Sequence, residues 1–239
     1  MDIVLILLAA VLFTALLRKP LQRHPGIFYA LAIVLDVLLV AGPSWSIPVA
    51  LWRFALLFHS RCLFAFGLFA VVMFIGVLKE GSPLKQALLP VRAELSIFAA
   101  LLALGHVLGF AALYLGRLLT QAAPYTVLVV GVAAALVVLL VPLTVTSFKA
   151  VKRRLGAATW KRLQRFAYLF WTLVFAHVLV VLGPFAALGA PGALESIAVY
   201  AVLFAMYAIL RVYRALADRR MRTDADRLAF DGESDPLAA

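Results

Sequence analysis

The chain has 239 residues, 66% hydrophobic and only 14% charged, with a mean hydropathy of +1.07, whereas soluble domains are roughly 45–50% apolar and about 25% charged. This composition points to an integral membrane protein and leaves no room for a soluble catalytic domain, so any such domain is expected to come from a partner. The net charge of +11 therefore bears on membrane topology and not on nucleic acid.

Apolar runs of about 17–25 residues mark membrane helices, and they predict seven, at about 2–17, 26–42, 58–78, 93–115, 125–147, 166–183 and 196–213. The expected fold is therefore all-α, a polytopic bundle over residues 1–213. The first run has no basic segment ahead of it and no small-residue cleavage site before RKPLQRH, so it reads as a retained helix. Pro and Gly punctuate most of the breaks, as in RKPLQRHPG, GPSWSIP and KEGSPLKQALLP. Counting breaks alternately places nineteen Lys and Arg on one side, from Arg18 to Arg211 at the end of the last run and the five arginines of the tail, and only Arg53, Arg61 and Arg117 on the other. The positive-inside rule then puts the N-terminus outside and the C-terminus in the cytoplasm. Residues 214–239 start basic and end acidic, as expected of a short juxtamembrane helix fading into disorder.

Cys62 is the single cysteine, which excludes an intramolecular disulfide and a Cys-rich metal site. Of the four histidines, His24 and His59 read as interfacial, with contact between His59 and a cofactor edge as the alternative. His106 and His177 lie deep in apolar helices, where ionisable residues are rare and functional by default. Both stand roughly 17–20 Å above the inner boundary at 1.5 Å per residue. Two imidazoles facing each other at one level can bind a haem iron from both sides or, less readily, a bare transition metal. Gly105 and Gly109 flank His106 in GHVLG, a spacing that lets a macrocycle or another helix approach. Asp36, mid-span, is either protonated and hydrogen-bonded, paired with a cation, or part of a proton or quinone path.

The segment PVRAELSIFAALLALGHVLGF carries Arg92 and His106. It is followed by Thr146 and Ser147, the turn Arg153, Arg154, Leu155, Gly156, and the series Trp160, Leu163, Gln164, Arg165, Tyr168 that leads to His177. In order and spacing these residues resemble the ferric reductase-like transmembrane domain family, and within it the haem-binding membrane subunits of periplasmic methionine sulfoxide reductase systems. The likeness covers about residues 84–183 and is weaker over the second and third helices. It implies a haem b electron-transfer protein of a bacterial-type inner membrane, the membrane component of an oxidoreductase. Its donor would be a quinol or a reductase, and its partner a separate redox subunit at the outer surface. Where the family carries a further histidine this chain has Gln164, and glutamine is not a normal axial ligand. One haem is therefore expected, held by His106 and His177, with Arg53, Arg61 and Arg117 as candidate partners of its propionates. Two other classes remain: a cofactor-free subunit anchoring a larger complex, and a small transporter relaying protons through Asp36 and the histidines.

Overall fold

A computed structural model describes residues 3–42, 44–45, 47–59 and 61–233, and among these every regular element is a helix. In chain order they are α1 (Ile3–Arg23), α2 (Pro25–Ala41), α3 (Val49–His59), α4 (Leu63–Ile75), α5 (Pro83–Leu88), α6 (Arg92–Gln121), α7 (Pro124–Val145), α8 (Lys149–Arg154), α9 (Ala157–Gln164), α10 (Phe166–Ala187) and α11 (Ala193–Glu233). A single 3-10 turn, Leu89–Val91, joins α5 to α6. Among the described residues six stretches are long and apolar enough to cross a membrane: Ile3–Arg23, Val49–Ile75, Pro83–Gln121, Pro124–Val145, Ala157–Ala187 and Ala193–Met221. The apolar helix Pro25–Ala41 is shorter.

The helices start and stop where local chemistry demands. Pro25 and Pro124 open α2 and α7, where a missing N–H costs nothing. Ser82 caps α5 by accepting a hydrogen bond from the Lys85 N–H (3.3 Å). Within α7, Pro142 removes one ladder bond, and the Thr144 and Thr146 hydroxyls donate to the carbonyls of Leu140 and Pro142 (2.8 and 2.7 Å). Beyond α4, the Lys85 ammonium folds back onto the Leu78 carbonyl and the Glu80 carboxylate, and this contact holds the Glu80 carboxyl below its ordinary range.

Helices α4 and α6 form the centre. Nearly all of α4 is buried, from Leu63 to Ile75. It packs between α1 and α6, while α6 also meets α2 and α7, and α10 joins α7 to α11. One aromatic cluster, Phe13, Phe28, Phe64 and Phe98, ties α1, α2, α4 and α6, with Phe13 stacked on Phe98 at 5.6 Å. A second packs Trp171 of α10 against both Phe66 of α4 (5.4 Å) and Phe204 of α11 (4.4 Å), which also touch each other (6.1 Å). Large apolar side chains cover the outside of α1, α2, α7 and α11, for example Leu8, Val138 and Ile209. Such a surface is suited to lipid, because satisfied helical backbones are what the hydrocarbon region accepts.

Three elements depart from expectation. Helix α1 runs on through Pro20 to Arg23 instead of ending near residue 17. The stretch expected as an outer connection contains α3, an eleven-residue helix that carries Arg53. The chain then turns through Cys62, whose φ of 52° is left-handed and costs a non-glycine residue about 1–2 kcal/mol. Finally, α11 continues through the basic start of the expected tail to Glu233, and residues 234–239 lie outside the described residues.

The α1–α4 crossing is closest at Gly67, where an added Cβ would stand 2.8 Å from the Ala10 Cβ. Replacing Ala10, which is fully buried, by Leu is expected to destabilise the fold by roughly 1–3 kcal/mol. Replacing the outward-facing Leu8 by Ala should change stability by about 0.5 kcal/mol or less. Thermal unfolding in detergent checks both.

Candidate functional site

The site is built where α2, α3 and α6 meet. Gly105 has no side chain, and a Cβ there would collide with the Asp36 carboxylate and come within 2.8 Å of His59 Nε2; at Gly109 it would meet Leu39 of α2 at 2.6 Å. The two glycines flanking His106 therefore serve the approach of another helix, α2, one of the two roles expected of them. Into the space over Gly105, Asp36 extends to form a 2.7 Å contact between its Oδ1 and His59 Nε2.

His59 is wholly buried and is not the interfacial residue that its place beside Arg61 suggested. Its Nδ1–H donates to the Ala55 carbonyl at 2.8 Å. A carbonyl can only accept, so Nδ1 keeps its proton and a single further proton is shared between Nε2 and Asp36. The pair is either a neutral acid against a neutral imidazole or a carboxylate against an imidazolium. Either form satisfies the intramembrane carboxyl of Asp36.

His59 also ends α3, and the last carbonyls of a helix lack internal partners. Its carbonyl accepts from the Cys62 N–H (3.1 Å) and from His106 Nδ1–H (2.5 Å). That second bond fixes the tautomer of His106: with the proton on Nδ1, the lone pair lies on Nε2, which has no hydrogen-bond partner among the described residues. The Phe110 ring, one turn on, lies 4.9 Å from the imidazole. His177, on α10, is partly buried. Its Nδ1 is buried without a hydrogen-bond partner.

The other expected residues fall outside this cluster. Arg53 is exposed on α3, Arg61 is exposed in the turn after it, and Arg117 is exposed on α6 beside the Tyr114 ring (5.7 Å). His24 is exposed at the start of α2. Gln164 has structural work: its Nε2 donates to Thr146 Oγ1 (3.1 Å), while Trp160 Nε1 donates to the Thr146 carbonyl (3.1 Å). Together they staple α9 to the end of α7. Among the described residues no three His, Cys, Asp or Glu side chains converge as a metal cluster.

Comparison with known proteins found a relative from Treponema pallidum (strain Nichols), described as an uncharacterized protein, that is 37% identical over 219 residues. The match covers 90% of this chain, which spans about 61% of that relative's length. No family model and no solved structure matches.

Gly105→Ala is expected to push the Asp36–His59 pair apart and destabilise the fold by roughly 1–3 kcal/mol. Asp36→Asn should cost less than Asp36→Ala, because the amide N–H still donates to a neutral His59 Nε2. Thermal unfolding of the three variants gives the order.

Proposed function

We propose that this chain is a membrane haem b electron-transfer protein of the ferric reductase-like kind, the membrane component of an oxidoreductase, with one haem between His106 and His177. The observation that carries this reading is the His106 hydrogen bond: Nδ1–H is committed to the His59 carbonyl, leaving Nε2 free as a ligand. Metal-binding histidines characteristically donate their second ring nitrogen to a carbonyl or carboxylate in this way. His177 lacks such a partner on Nδ1 among the described residues, so no protein acceptor competes for that imidazole, and the residues flanking it in sequence are apolar. When bound, haem supplies a one-electron couple, its potential set by the axial ligands and the surrounding dielectric.

The residues around it have separable tasks. Gly105 and the Asp36–His59 pair set the position of His106, and the same pair holds one proton beside the site, as a quinol donor would need. Arg61, two residues beyond His59, is the nearest in sequence of the three outer arginines to this level and the first candidate for a propionate. Gln164 stands where the family has a histidine, and its staple to Thr146 gives it a different use, in keeping with one haem and not two. The charge division supports seven spans with the N-terminus outside and the C-terminus in the cytoplasm of a bacterial-type inner membrane. Electrons would come from a quinol or a reductase and pass to a separate redox subunit at the outer surface.

An absorption spectrum of the protein purified after expression with a haem supply tests this directly. The expected result is a Soret band that is lost or displaced in His106→Ala and His177→Ala, abolished in the double variant, and retained in Gln164→Ala. A wild-type protein without the band, or a band indifferent to both histidines, contradicts the reading.

A further inference from the structure

At the end of the bundle remote from the outer arginines, residues of α4, α6, α7, α8, α9 and α10 line a cavity of about 270 Å³. Its two charged lining residues are Arg92 and Lys152, and no carboxylate lines it. Arg92 donates its Nε–H to the Val72 carbonyl (3.3 Å), which leaves the four N–H groups on its terminal nitrogens without an acceptor among the described residues. Lys152 lies over the Trp160 ring at 4.3 Å. The neighbouring carboxylates are already occupied: Glu94 pairs with Lys149 (2.8 Å), Glu80 with Lys85 and Asp218 with Arg214 (2.9 Å). A narrower space of about 30 Å³ shares Arg92 with the cavity and reaches Arg211.

Arg92 is half-buried among apolar helices and Lys152 is exposed, and an anion between them would be held by charge-assisted hydrogen bonds from both. The volume exceeds what a single small ion fills, since one water occupies only about 30 Å³ of liquid. Most of the remaining wall is apolar, including Phe69 and Leu143, with Ser96, Thr144, Ser147 and Gln164 as its polar members, and the buried Trp171 Nε1–H has no acceptor among the described residues. The ligand is therefore anionic, rich in acceptors and partly apolar. A neutral quinone ring would leave both cations uncompensated. The mouth supplies the direction: Lys152 and Leu89 are exposed where the basic segment α8–α9 leaves the bundle.

We propose that this cavity binds the phosphate headgroup of an anionic phospholipid. Arg92 and Lys152 take the phosphodiester, and the apolar wall takes the glycerol and first acyl carbons. The site stands apart from the haem reading and holds whether or not His106 and His177 bind haem. A soluble phosphate ester shares the chemistry, and the test separates the two sources.

The full chain in neutral detergent is titrated with phosphatidylglycerol, phosphatidylcholine, glycerol 1-phosphate or a water-soluble quinone, with binding read by native mass spectrometry and unfolding temperature. Phosphatidylglycerol is expected to bind selectively and raise the unfolding temperature. Lys152→Gln should weaken that binding roughly five- to tenfold, and Lys161→Gln, an exposed lysine off the cavity, should not. Arg92→Lys should retain more affinity than Arg92→Gln, which keeps the test open if the latter fails to fold. Equal binding of the two lipids overturns the proposal, as do equal effects of the two lysine variants. Displacement of phosphatidylglycerol by glycerol 1-phosphate or by the quinone at comparable concentration overturns the lipid assignment.

Discussion

The contact between Asp36 and His59 across the bare backbone of Gly105 is the constraint on which the rest of the candidate centre depends. A carboxyl deep among apolar helices must find a partner, and here it finds the last residue of a short helix. Because α2 can lie directly on the glycine face of α6, Asp36 reaches over Gly105 to His59, with 2.7 Å between Oδ1 and Nε2. His59, held by Asp36 on one ring nitrogen and Ala55 on the other, fixes the end of α3. Its carbonyl, which also accepts from the Cys62 N–H, then orients His106. Close approach, ion or acid pairing, helix end and imidazole tautomer are thereby linked through contiguous contacts.

The opposite end of the bundle has its own fixture. Thr146 closes α7 and receives both Trp160 and Gln164, so the basic turn folds back against the helix it has just left. That contact sets where α10 begins, and the packing of Trp171 against Phe66 and Phe204 anchors the helix one turn and a half further along. His177 follows Trp171 by six residues, about 9 Å of rise. The two histidines are thus positioned from opposite directions: His106 from the α2–α3 side, His177 from the α7–α9 side.

Hydropathy alone located most of this architecture, because a long apolar run is informative wherever a helix must be fully satisfied in lipid. The second, fourth, fifth and sixth runs begin within a residue or two of α2, α6, α7 and α10. The same signal failed at α3. There VALWRFALLFH is short, carries Arg53 and lies between prolines and the break at Cys62, so it read as a connection leading into the next helix. That error hid the burial of His59. The pairing of Asp36 with His59 joins residues 23 apart, and no local pattern encodes such a contact. The GHVLG spacing announced a close approach but could not say what approached; Leu39 and Asp36 answer that. The role of Gln164 was equally hidden, since its partner Thr146 lies on the preceding span, 18 residues away.

The central claim is that His106 and His177 act together on one iron. Electron paramagnetic resonance of the oxidised, haem-loaded protein bears on it most directly. Coordination by both imidazoles predicts a low-spin ferric signal in the wild type that converts to high spin when His177 alone becomes Ala. A wild-type signal that is high-spin, or a low-spin signal that survives His177→Ala unchanged, would contradict it.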